Sequence, residues 1–152
     1  MAFPSIFNQK DVDSIIHRIQ QLNPQSKALW GKMNVSQMLG HCCIPYEQIF
    51  NDRDDKTPFV MKWLLRLFFK KSMVNEVPYK PSLPTAPAFV ITDQRDFEKE
   101  KNRLIEYIER CRDLGANELV KRKQATLGYL TELQWNNLIY KHLDHHLKQF
   151  GV

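Results

Sequence analysis

Three of the chain's five histidines, His142, His145 and His146, fall within five consecutive residues. On a helix, side chains four residues apart lie one turn apart on the same face. His142 and His146 can therefore aim two imidazole nitrogens at one point, about 2.0–2.1 Å from a shared divalent ion. The same pair can equally be two core-edge histidines satisfied by hydrogen bonds, and an HxxxH spacing alone does not choose. Trp135, Leu138, Ile139, Leu143 and Phe150 share their apolar arc. Asn137, Lys141, Asp144 and Lys148 mark the face expected to meet water. His145 falls about 60° from His142 on the other side, at the polar border.

A third ligand must come from another element. His17 lies opposite an isoleucine stripe and reads as solvated. His41 is the better candidate, because it lies about a third of a turn off the apolar stripe of its helix and so faces a neighbour. Pro45 cannot donate to the His41 carbonyl, and a kink there could re-aim the ring. Three neutral imidazoles would leave the charge of a divalent ion uncompensated and a coordination position open. Such an ion could activate water for hydrolysis or a bound thiol for attack on an electrophilic carbon. Zinc, nickel, iron and copper all suit imidazole. No carboxylate is fixed near the histidines by spacing. Gln37, one turn before His41, and Gln149 on the last helix could orient a ligand from behind, although ordinary helix polars read the same way.

The elements that would position these residues follow from caps and periodicity. Asn8 can cap a helix carrying Val12, Ile15, Ile16 and Ile19, which Asn23-Pro24 stops. Asn34 can cap "VSQMLGHCCIPYEQIF", where Val35, Met38, Leu39, Cys42, Tyr46 and Ile49 share a face. The stretch 58–71 within "TPFVMKWLLRLFFKK" predicts a short apolar helix whose only wet face is Lys62, Arg66 and Lys70. Its apolar side should be buried on the bundle or across a homodimer interface, while a basic-ridged helix can also lie on an anionic membrane surface. Prolines at 78, 81, 84 and 87 favour an extended strap between helices. Asp93 or Asp96 can start a helix through Phe97, Leu104, Ile105, Ile108 and Cys111, with Gly115 just past its end. "TELQ" at 131–134 fits a capping box for the last helix. Four main helices and one short one argue for an all-α bundle in one domain, 1–152.

Bulk properties exclude several classes. The chain has 152 residues, 43% hydrophobic and 26% charged, with net charge +5. The basic residues are spread out with no aromatic-interleaved run, so nucleic-acid binding is not indicated. Three cysteines without a CxxC pair suggest neither a disulfide framework nor a thiolate zinc site, and Cys42 and Cys43 read as packing residues. No signal-peptide pattern and no bilayer-long apolar run occur, so the cytoplasm is the expected compartment and stable membrane insertion is not.

"LWGKMNVSQMLGHC", Leu29 to Cys42, resembles the start of the second helix in the DinB/YfiT-like superfamily. "HLDHHLKQFG" resembles its terminal signature, here His142, His145, His146 and Gln149. With "PSLPTAPAF" and "GYLTELQWNNLIYKH", the chain is similar over nearly its whole length to a branch known only as a domain of unknown function. The resemblance implies a four-helix bundle of unusual connection order, here with an extra short helix and a Pro-rich strap. It also implies a divalent metal, zinc or nickel among others, on His41, His142 and His146. Relatives include enzymes using low-molecular-weight thiols for S-transfer or isomerisation, which implies a small-molecule substrate, with hydrolysis the other use of such a site. Where that superfamily is expected to carry a histidine-proline-aromatic stretch, this chain has "KQATLG", Lys123 to Gly128. The alternative is a metal-free bundle whose histidines shape a pocket or an interface.

Overall fold

Helix starts follow the capping residues. In the computed structural model, which describes residues 3–50, 58–83, 85 and 89–152, Asn8 Oδ1 accepts from the Asp11 N–H and opens α1, Gln9–Gln20. Asn34 Oδ1 accepts from the Gln37 N–H at 2.9 Å, while Gln37 Oε1 accepts from the Asn34 N–H at 3.0 Å. That reciprocal pair satisfies two otherwise orphaned donors at the start of α2, Val35–Phe50. Asp96 caps α5, Phe97–Leu119, and Thr131 with Gln134 forms the capping box of α6, Glu132–Gln149. α2 continues across Pro45, one turn beyond His41.

The buried faces are those the periodicity marks. Val12, Ile15 and Ile19 of α1, Met38, Leu39 and Cys42 of α2, Leu104, Ile108 and Cys111 of α5, and Trp135, Ile139 and Leu143 of α6 join one core. α2 packs on α5 and α6, α1 packs on α5, and α5 also touches α6. Gly40 allows a close approach: a Cβ there would meet Ile91 Cδ1 at 3.1 Å and Glu100 Oε2 at 3.3 Å. Glu100 is 3% exposed and is bound by Arg103 and Arg95; Arg103 also reaches Glu47 of α2. This buried ion network ties α5 to α2 next to His41.

Several expectations need correction. The apolar helix expected over 58–71 is two, α3 (Phe59–Phe68) and α4 (Lys70–Val74), which meet at Phe69. Its basic ridge is not its wet face, and its apolar side is not packed on the bundle. Arg66 Nε donates to the Thr126 carbonyl at 2.6 Å and Lys70 Nζ to the Tyr129 carbonyl at 3.4 Å, so this ridge turns inward. Phe59, Val60, Trp63, Leu67 and Phe68 instead face outward, with Phe59 81% exposed.

The far side of α6 is not wet either. Asn137 and Lys141 are 1% and 2% exposed. Asn137 Nδ2 donates to the Val74 carbonyl, and Lys141 Nζ donates to the carbonyls of Ser72 and Asn75. α4 and the chain after it thus cover that face with carbonyls, which makes long polar side chains good partners there.

α5 leaves helical geometry at Gly115 (φ 75°, ψ 162°), where its end was expected, but a further turn follows to Leu119. The stretch "KQATLG" holds an unexpected antiparallel hairpin, β1 (Lys123–Gln124) with β2 (Gly128–Tyr129). The chain is otherwise all-α among its described residues. Between Asn75 and Asp96 the described residues hold no long helix; Pro84 and Pro87 of the expected strap lie outside the described residues. No described helix is long and apolar enough to cross a membrane.

Candidate metal centre

α2 delivers His41 to the α6 pair. His41 Nε2 lies 2.9 Å from His142 Nε2, and one nitrogen from each of His41, His142 and His146 falls within 4.8 Å of the others. Ring centroids are 4.7–4.9 Å apart. His41 and His146 are each 6% exposed, whereas His142 is half-buried and forms the open edge.

Hydrogen bonds behind the rings set their tautomers. His41 Nδ1 is 2.8 Å from the Phe89 carbonyl oxygen, which can only accept, so Nδ1 carries the proton. His146 Nδ1 is 2.8 Å from Gln149 Oε1. The Gln149 amide is itself oriented, because its Nε2 donates to the Trp30 carbonyl at 2.7 Å. His41 thus turns its Nε2 to His142 Nε2, and one nitrogen of His146 lies within 4.8 Å of a nitrogen of each. With His142 Nε2 crowded against His41 Nε2, their lone pairs repel unless a proton or a cation lies among them. A three-imidazole donor set of this kind suits a divalent transition metal, so the buried cluster could bind a metal ion.

The quoted "LWG" stretch wraps Gln149. The Leu29 N–H donates to the Gln149 carbonyl at 2.7 Å, and Trp30 supplies the acceptor for the side-chain amide. Gly31 has φ 84°, and a Cβ there would come 2.5 Å from Gln149 Nε2. Glycine is needed at 31 for both reasons. Trp30 and Gly31 carry no signal of this role by residue type, and the Phe89 contact is made by the main chain.

Other candidates lie elsewhere. Gln37 spends its side chain on the α2 cap and donates to the Asp93 carbonyl at 3.3 Å. His17 is exposed beside Gln21. His145 packs against the rings of Trp30 and Tyr79 rather than joining the three. Asp144 is 7% exposed, not solvated, and is paired with Arg18 and Lys148. Glu47 is bound to Arg103. Cys42, Cys43 and Cys111 are buried, and burial pushes the Cys43 and Cys111 thiols up to about 12.

Burial, then the neighbouring rings, holds His142 well below the usual imidazole range, and burial lowers His146 from 6.5 to about 3. Between those pH values the unfolded chain takes up protons that the metal-free fold excludes. Stability of the metal-free protein should therefore fall as pH drops from 6.5 towards 3. Urea midpoints at pH 7.5 and 5 measure this, and a His142→Gln, His146→Gln variant should show the flatter profile.

An all-α chain with a buried three-histidine cluster defines a class rather than an activity. This chain belongs to the family described as "Protein of unknown function (DUF1569)", whose family model matches residues 5–151. No curated protein and no solved structure matches it.

Proposed function

We propose that this chain is a metal-dependent enzyme of the DinB/YfiT-like kind, a single four-helix-bundle domain over 1–152. In this reading His41, His142 and His146 hold zinc or nickel, and the reaction is S-transfer with a low-molecular-weight thiol or hydrolysis of a small molecule in the cytoplasm. The observation that carries it is the pair of rings whose Nδ1 atoms face the Phe89 carbonyl and Gln149 Oε1, with one ring nitrogen of each of the three histidines within 4.8 Å of the others. A divalent ion bound there supplies Lewis-acid activation of a thiol, a water or a carbonyl. The Phe89 carbonyl and Gln149 orient the rings, burial keeps His146 neutral, and the half-buried edge at His142 leaves a route for substrate. The ring nitrogens are the donors available here, since Asp144 and Glu47 are held by Arg18, Lys148 and Arg103.

Metal content tests this directly. Tag-free protein purified without chelators and reloaded with zinc or nickel should carry one ion per chain by mass spectrometry. The His145→Ala variant should keep it, and His41→Ala and His142→Ala should lose it. No stoichiometric metal in reloaded wild type would sink the proposal.

A second reading, a metal-free interaction module that can form a homodimer, is favoured by the outward apolar face of α3, Phe59 to Phe68. The same metal analysis decides between the two.

A further inference from the structure

Apolar exposure is concentrated on one helix. Seven of the thirteen large apolar residues that stand exposed among the described residues fall between Phe59 and Phe69. No residue of α3 is buried. At about 100° per residue, Phe59, Trp63, Leu67, Val60, Phe68 and Met61 span an arc of about 200°. Packing on one partner takes an apolar stripe about 100° wide. A single facing helix would leave half of the α3 arc in water, whereas a lipid interface immerses all of it. Four of the exposed residues, Phe59, Trp63, Phe68 and Phe69, are aromatic. Such rings suit the boundary between lipid head groups and acyl chains.

Charge points to the same occupant. Every charged residue from Phe59 to Asn75 is positive: Lys62, Arg66, Lys70 and Lys71. Arg66 and Lys70 rest on the neutral carbonyls of Thr126 and Tyr129, which hold them in place without cancelling their charge. Lys71 is exposed. With the flanking acids Asp52, Asp54, Asp55 and Glu76 counted, residues 51–76 still hold six cations to four anions. A second copy would set this positive segment against itself, which like-charge repulsion opposes. An anionic lipid surface complements it.

We propose that α3 and the start of α4 dock this protein reversibly on an anionic lipid surface. Phe59, Trp63, Leu67 and Phe68 enter the interface, and the cations of Arg66, Lys70 and Lys71 attract the lipid phosphates. α3 has ten residues, about 15 Å of helix, so it lies on the bilayer and does not cross it. The inference uses no histidine and is independent of the metal reading.

Sedimentation of the full-length protein with vesicles tests this. One set is phosphatidylcholine alone, and the other carries one-third phosphatidylglycerol. At low salt, wild type should bind the anionic vesicles about tenfold more tightly than the neutral ones. Raising salt from about 0.1 M to about 1 M shortens the Debye length from about 10 Å to about 3 Å and should erase that preference. Lys71→Ala should weaken anionic binding about fivefold. A Phe59→Ser, Trp63→Ser variant, changed only at exposed positions, should lose binding with its circular dichroism unaltered. Tryptophan emission should shift to the blue on anionic vesicles, and Trp63→Phe should remove the shift. No binding of wild type to anionic vesicles at low salt overturns the proposal. Equal binding to both vesicle types, or binding untouched in the double serine variant, overturns it as well. A dimer in sedimentation velocity that the double variant splits, in a protein that ignores vesicles, gives the face to a second copy instead.

Discussion

On the proposed metal reading, truncating Gln149 to alanine should weaken zinc binding by about 10–100-fold with all three histidines in place. The reason is positional. Gln149 Oε1 holds the His146 Nδ1 proton, and Trp30 holds Gln149 through its Nε2. Without the amide, the His146 ring can exchange tautomers or rotate, and its ring nitrogen is no longer held at the cluster. Gly31→Ala should produce the same loss by a different route, because its Cβ would displace the amide from 2.5 Å away. Gln149→Glu separates charge from geometry: its carboxylate still accepts from His146 but has no N–H for the Trp30 carbonyl. Competition against a chromophoric zinc chelator gives the dissociation constants. Unchanged affinity in Gln149→Ala would mean that core packing alone aims His146.

Arg103→Met should lower folding stability by about 3–5 kcal/mol. Its guanidinium serves the Glu100 and Glu47 carboxylates, whose side chains are only 4% and 11% exposed. Removing it strands two like charges in a partly dehydrated site. Arg95 reaches Glu100 at 3.3 Å and offsets part of the loss, which favours the lower end of the range. Replacing Glu47, Glu100 and Arg103 together by apolar residues of similar volume should cost far less, because no charge is then left unpaired. Urea denaturation of the single and triple variants measures both. A loss below about 1 kcal/mol for Arg103→Met would show that water screens the network as it does a surface pair. Since the network joins α5 to α2 through Glu47, six residues beyond His41, its loss also loosens one wall of the histidine cluster.

How much could be read beforehand depends on where each interaction is encoded. Asn8, Asn34, Asp96 and Thr131 mark helix starts because capping is local chemistry between neighbours. The His142–His146 pair is legible for the same reason, as one helix turn sets its spacing. His41 is harder: its phase shows only that it faces another helix, and the packing of α2 against α6 brings it to the pair. The Phe89 contact is illegible because a main-chain carbonyl looks alike at every residue. The basic ridge of α3 reads as its wet face because amphipathicity defines two faces without saying which is inward. The deciding acceptors, the carbonyls of Thr126 and Tyr129, lie at a hairpin with two-residue strands that leave almost no pattern. Asn137 and Lys141 fail the wet-face rule because α4 approaches them with exposed carbonyls rather than apolar side chains.

The burial of Cys42, Cys43 and Cys111 has a further chemical meaning. Disulfide exchange requires a thiolate, and these three sulfurs stay protonated and out of reach in the native fold. A small thiol entering at His142 would meet imidazole nitrogens and no competing sulfur of the protein. The native chain is thereby protected from forming mixed disulfides with small thiols around it.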